Sequence, residues 1–260
     1  MNRMLSSALA SLPSKLPAAS FHGGPTTWTT DETVEPSRRI AQEPTDHLFS
    51  PVGYEAGYRY PLIVWMHSHG SSERELTGVM ASLSLQNHVA IAPRGTDRMY
   101  GEDGLYTWRQ NPTHIDLAAK RVEDAIARAQ QVKNIHPDRV FVVGYGSGGT
   151  MALRIALRHP EWFAGVASLN GPMPTGFSPL GRFKAARRLP VMLGNGLESE
   201  HYDVDSVYRD VRLLRTAGMK LDVRHFPAGD ELRTPMLEEI NAWIMNFVCS
   251  SSSSAVPQSV

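Results

Sequence analysis

From residue 60 onward the chain alternates short apolar runs with longer stretches in which apolar residues recur every three or four positions. That alternation predicts strands joined by crossover helices around a parallel sheet. Six runs read as strands: residues 61–67, 89–94, 139–144, 164–171, 189–196 and 220–227. Between the second and third, residues 114–132 put Ile115, Ala118, Ala119, Val122, Ile126, Ala129 and Val132 on one face, which predicts an amphipathic helix. A second helix is predicted over 148–158 and stops at His159-Pro160, because proline disfavours helical geometry in the residue before it. A third covers 204–216, with Gly218 as its stop, and the last runs from Thr234 as N-cap and Pro235 as first residue to Val248. Residues 26–60 are irregular and are read as a source of antiparallel edge strands.

Composition narrows this picture. A 260-residue chain with 42% hydrophobic residues can bury a sizeable core, and the reading is one domain over 26–249. Lys plus Arg (26) equals Asp plus Glu (26) with no dense basic run, so no nucleic-acid partner is expected. The single cysteine, Cys249, excludes an intramolecular disulfide, and no apolar run reaches the roughly 18–20 residues of a membrane span. Near the N-terminus, Pro13, Lys15 and Pro17 interrupt a weakly apolar run after Arg3, so residues 1–25 read as a flexible leader rather than a signal peptide. A cytoplasmic location is the matching expectation. The serine-rich stretch 250–260 is too polar to bury apolar surface and reads as a disordered tail.

The chemistry concentrates in residues 142–149, VVGYGSGG, which sit where a strand gives way to a helix. Together with PLIVWMHSHGSS at 61–72, APRGT at 92–96, YTWRQ at 106–110, the long stretch 138–174 and LPVMLGNG at 189–196, they resemble the phospholipase/carboxylesterase group of small serine esterases. The resemblance covers residues 58–248 and implies the α/β-hydrolase fold: a mostly parallel central sheet flanked by helices on both faces. It also implies a serine nucleophile at the tip of Gly-x-Ser-x-Gly, an aspartate after the next-to-last strand, a histidine after the last strand, and no cofactor or metal.

Each of those three positions departs from the pattern. The tip is Gly146, the acid position carries Ser199 with Glu198 and Glu200 beside it, and the base position carries Asp230. A carboxylate of ordinary pKa is a weaker general base than imidazole at neutral pH and offers no second nitrogen to orient. The oxyanion side is better kept: His67-Ser68-His69-Gly70 resembles the family's His-Gly-x-Gly, with the N–H groups of His69 and Ser147 as donors. His67 and His69 alternate on one strand face, but without a third ligand nearby they read as loop-fixing residues rather than metal ligands.

The resulting expectation is an esterase fold without its serine triad, whose cleft near His69, Gly146, Ser147 and Asp230 takes a small acyl or carbonyl ligand or a protein partner. The alternative is an active carboxylesterase or thioesterase in which the turn shifts by one residue. Ser147 is then the nucleophile, His201 or His225 the base, and Glu198 or Asp203 the orienting acid. Trp108-Arg109-Gln110 is a further candidate for the cleft wall, with Arg109 able to pair a carboxylate.

Overall fold

The computed structural model describes residues 45–253. The expectations for the leader, for residues 26–44 and for residues 254–260 lie outside the described residues.

Seven strands form one sheet in the order β1 (Asp46–Phe49), β3 (Val89–Pro93), β2 (Tyr60–Met66), β6 (Ile135–Tyr145), β7 (Gly165–Leu169), β8 (Pro190–Gly196), β9 (Lys220–Phe226). β1 is antiparallel to β3 and every other pairing is parallel. The irregular segment before residue 60 therefore supplies one antiparallel edge strand. A separate two-stranded ribbon pairs β4 (Asp97–Arg98) with β5 (Tyr106–Thr107).

The central strands are buried on both faces, so they read as continuous apolar runs whose alternate residues divide between two cores. Leu62, Val64 and Met66 of β2 join Val140 and Val142 of β6 in the core beneath α2 (Pro112–Val132) and α3 (Ser147–Arg158). Ile63 and Trp65 join Phe141 and Val143 in the core beneath α1 (Glu75–Leu83) and α6 (Thr234–Ser253). α4 (Phe183–Ala186) and α5 (Val204–Thr216) add Ala186 and Leu214 to the first of these cores.

All six expected strands and four expected helices are present, with shifts at their ends. β6 begins at Ile135 rather than Arg139, because its first residues pair with Tyr60 across an irregularity in register. α6 continues through the expected tail as far as Ser253. α1, α4 and the β4–β5 ribbon were not anticipated. In α1, Gly78 and a nine-residue length dilute the periodicity that marks a helix. α2 starts where its cap dictates: the Asn111 side chain accepts the His114 N–H at 3.0 Å and Pro112 occupies the first turn.

Parallel strands all point their carboxyl ends to one side, and the loops leaving β2, β6, β7, β8 and β9 meet there.

Candidate active site

The turn between β6 and α3 consists of one residue, Gly146, with φ +54° and ψ −122°. Its outer glycines are fixed by packing. A Cβ on Gly144 would lie 2.5 Å from Gly148 C, and one on Gly148 would lie 2.2 Å from Met66 O and 2.3 Å from His67 O. A Cβ on Gly146 would meet nothing within 4 Å. The sharp elbow is thus formed in the frame Gly144-x-Gly146-x-Gly148, and its tip faces open space without a side chain.

Ser147 follows the tip directly. It is the first residue of α3, and its Oγ is buried without a hydrogen-bond partner. What Ser147 offers the cleft is its N–H, which as the first of a helix has no intrahelical acceptor.

The loop after β2 lines the same cleft through Ser68 and His69. Glu75 at the start of α1 accepts from Trp65 Nε1 at 2.9 Å, from Ser68 Oγ at 2.6 Å and from the Ser68 N–H at 3.3 Å, so one carboxylate fixes the loop. Gly70, at φ +67°, donates its N–H to Tyr106 O at 3.1 Å, and His69 Nδ1 meets Thr107 Oγ1 at 2.8 Å. No intramolecular acceptor takes the N–H of His69 or of Ser147 among the described residues.

His67, which the resemblance groups with the oxyanion and cleft residues, does not line the cleft: it is fully buried behind the wall. Its Nε2 accepts the Gly95 N–H at 2.9 Å, so the ring proton sits on Nδ1 and is donated to Ser68 O at 2.8 Å. Trp108 packs 5.2 Å from the ring and donates Nε1 to His67 O at 2.9 Å. Burial lowers the His67 pKa, and with both nitrogens engaged it is a neutral brace.

The acid and base positions touch, with their chemistry exchanged. Ser199 Oγ donates to Asp230 Oδ1 at 2.5 Å and accepts the Tyr202 N–H at 3.0 Å. The Glu200 N–H reaches Asp230 Oδ2 at 3.0 Å, and His201 Nδ1 lies 2.9 Å from the same oxygen. Partial burial works against the Asp230 charge, but the Ser199 hydroxyl, His201 and the Glu200 N–H outweigh it and hold the carboxyl down to about 2. In return the hydrogen bond to Asp230, followed by its charge, raises the His201 pKa. The carboxylate thus follows the last strand and the histidine comes from the loop after β8, the reverse of the order the resemblance implies.

The other candidates lie elsewhere. His225 is exposed on β9 with Nδ1 2.6 Å from Asn195 Oδ1. Asp203 caps α5 by accepting the Ser206 N–H at 2.6 Å, and Glu198 is exposed. Arg109 pairs with Asp97 at 2.7 Å, and Gln110 Oε1 accepts from Arg154 Nε at 2.6 Å, so segment 108–110 braces the wall from behind.

Ser68, His69, Gly146, Ser147, His201 and Asp230 line one cleft of about 690 Å³. Sequence reasoning missed the four others, Tyr145, Thr150, Asn170 and Pro172. Asn170, at φ +48°, donates Nδ2 to Gly229 O at 2.8 Å and to Tyr145 Oη at 3.2 Å, while its Oδ1 accepts the Gly196 N–H at 2.7 Å. It joins the loops after β7, β8 and β9. Its signal was the Asn-Gly pair after a strand, a combination suited to a left-handed turn. Tyr145, whose pKa burial pushes up to about 12, completes the wall as a neutral phenol. Among the described residues no group of three or more His, Cys, Asp or Glu is placed to hold a metal ion, and no helix is long and apolar enough to cross a membrane.

Comparison with known proteins agrees with this architecture. NocK of Nocardia uniformis subsp. tsuyamanensis is 33% identical over 144 residues, a match covering 51% of this chain but 38% of that protein. The carboxylesterase SOBER1 of Arabidopsis thaliana is 26% identical over 142 residues, covering 54% of this chain and 62% of that protein. The chain thus spans less than two thirds of either relative. Among solved structures, SOBER1 superposes with a TM-score of 0.62 at 19% identity, covering 74% of this chain and 100% of that one. A carboxylesterase from Mesorhizobium loti gives 0.61 at 21% identity, covering 74% and 90%. Residues 55–247 match the Phospholipase/Carboxylesterase family, and with the seven-stranded sheet and elbow in place the chain belongs to that family and has the α/β-hydrolase fold.

Proposed function

We propose that this member of the family does not form an acyl-enzyme and uses its cleft to bind a small acyl- or carbonyl-bearing ligand. The observation that carries this reading is Gly146 at the elbow tip, in the strained conformation a nucleophile would occupy and with no side chain to supply one. Two N–H groups, of His69 and Ser147, have no intramolecular acceptor among the described residues and so can receive a carbonyl oxygen, and the apolar body of Tyr145 together with Pro172 gives the ligand's chain a surface to rest on. The alternative esterase mechanism through Ser147 is disfavoured, because an attacking hydroxyl must reach substrate and the Ser147 Oγ is closed off from the cleft.

The test pairs a covalent probe with a non-reactive ligand. A fluorophosphonate should leave the mass of the intact protein unchanged, while a series of short aliphatic methyl ketones should bind by titration calorimetry. Labelling that Ser147→Ala abolishes would overturn the serine-free reading, and a failure of every ketone to bind would overturn the ligand assignment.

A further inference from the structure

We propose that His201, oriented by Asp230, drives water directly onto a carbonyl held in this cleft, hydrolysing small acyl esters by addition and collapse without an acyl-enzyme intermediate. This deepens the serine-free reading and rests on it.

The first support is the exchange of partners at the two loops. The imidazole–carboxylate contact that a triad needs is present at 2.9 Å, but is built from His201 on the loop after β8 and Asp230 after β9. An ionised carboxylate accepts only, so Nδ1 of His201 carries the ring proton and donates it to Asp230. The neutral ring then presents Nε2 as a lone pair. Nε2 has no protein partner among the described residues, and the 82% exposed side chain lines the cleft. A surface ion pair would account for the contact alone. It would not account for the three groups that converge on Asp230: Ser199 Oγ, the Glu200 N–H and His201 itself. They fix a carboxylate whose remaining task is to orient the ring.

The second support is the space at the tip. Position 146 stands beside the Ser147 N–H with nothing within 4 Å of where its Cβ would be. A family hydroxyl would stand there; with glycine in its place, the same volume admits a water molecule. The N–H groups of His69 and Ser147 have no intramolecular acceptor among the described residues.

The reaction follows from those positions. His201 Nε2 takes a proton from water as the water oxygen bonds to the carbonyl carbon, and the carbonyl electron pair moves onto oxygen between the N–H groups of His69 and Ser147. Collapse re-forms the carbonyl and breaks the bond to the leaving oxygen, to which the imidazolium returns its proton. Water is added across the ester, and an acid and an alcohol leave. His201 is the catalytic residue and Asp230 a positioning residue. Of the titratable groups around the ring, Asp230 and Glu200 act on it directly, and His69 and Tyr145 also line the cleft.

The experiment is steady-state hydrolysis of p-nitrophenyl butyrate by the full chain. Release of nitrophenol should be linear from the first turnover, without a burst, and indifferent to fluorophosphonate. His201→Gln, an exposed substitution that leaves the fold intact by circular dichroism, should lower kcat at least about 100-fold with little change in KM. Because general-base catalysis needs the neutral ring and Asp230 raises the His201 pKa, activity should rise with pH through a limb above 6.5. Asp230→Asn should move that limb to lower pH as well as reduce kcat, a shift that loss of loop structure alone would not produce. Turnover no higher than buffer, or turnover unchanged in His201→Gln, overturns the proposal and leaves the ligand-binding reading standing if ketones still bind. A burst with fluorophosphonate labelling overturns both.

Discussion

Gly146→Ser tests the elbow as a backbone device separate from its chemistry. The added Cβ meets nothing within 4 Å, so the substitution has no steric cost, and what remains is the cost of holding a non-glycine residue at φ +54°, ψ −122°. Such conformations cost about 1–3 kcal/mol. For a domain of this size each kcal/mol lowers Tm by about 2–4 °C, so calorimetry should show a cooperative transition about 2–12 °C below wild type. Gly148→Ala is the contrast: its Cβ would lie 2.2 Å from Met66 O, a backbone atom of the central strand β2, and its loss should exceed about 4–5 kcal/mol. The new hydroxyl of Gly146→Ser, beside the Ser147 N–H and in the cleft shared with His201, should also be labelled by a fluorophosphonate, and labelling should fall when His201→Gln is added. A Gly146→Ser protein more stable than wild type, or as damaged as Gly148→Ala, would refute the assignment of Gly146 as the strained tip.

Three further outcomes are expected. His88 is buried, with Nε2 2.8 Å from Asn241 Oδ1; burial pushes its pKa down to about 4, against the opposing effect of that hydrogen bond. The folded protein therefore keeps His88 neutral while the unfolded chain takes up a proton below 6.5, so stability is lost as pH falls from 6.5 towards about 4. The loss is about 3 kcal/mol, and His88→Gln should flatten that part of a urea-unfolding pH profile. Arg154, 3% exposed, donates to Gln110 Oε1, Thr175 O and Gly176 O, so Arg154→Met should cost on the order of 3 kcal/mol in denaturant unfolding by releasing the loop after β7. Asn170→Ala removes the hydrogen bonds to Gly196, Gly229 and Tyr145 and should cost about 1–3 kcal/mol while lowering the ketone affinity of the cleft.

The sheet was legible because its central strands are buried on both faces and flanked by amphipathic helices, two of them capped by Asn111 and Asp203. Val204–Thr216 is bounded as expected, since Asp203 caps it and Gly218, at φ +74°, ends the turn that follows. α1 was not legible: Gly78 interrupts it, and much of its role is to place Glu75 under Trp65 and Ser68, a tertiary relation. At the site, the glycines at 144, 146 and 148 announced the elbow through spacing alone. The fate of Ser147 and His67 depended on which way side chains turn, which no spacing encodes. The contact of His201 with Asp230 joins two loops whose approach is set by the β8–β9 register, Gly196 opposite Phe226, and by Asn170 bridging them.

The sheet order leaves two edges, and they are finished differently. β1 closes one side antiparallel to β3, and its Asp46 is paired with Arg128 of α2. On the other side, among the described residues, β9 pairs only with β8, and its backbone offers a row of groups to any passing strand. Lys220, Asp222 and Arg224 occupy alternate positions of that strand, with Asp222 held by Trp243 Nε1 at 2.9 Å and Arg224 by Glu239 at 2.6 Å. A strand added there would have to lie against tethered charges of both signs. The same row that fastens α6 to the sheet therefore guards the molecule against edge-to-edge aggregation.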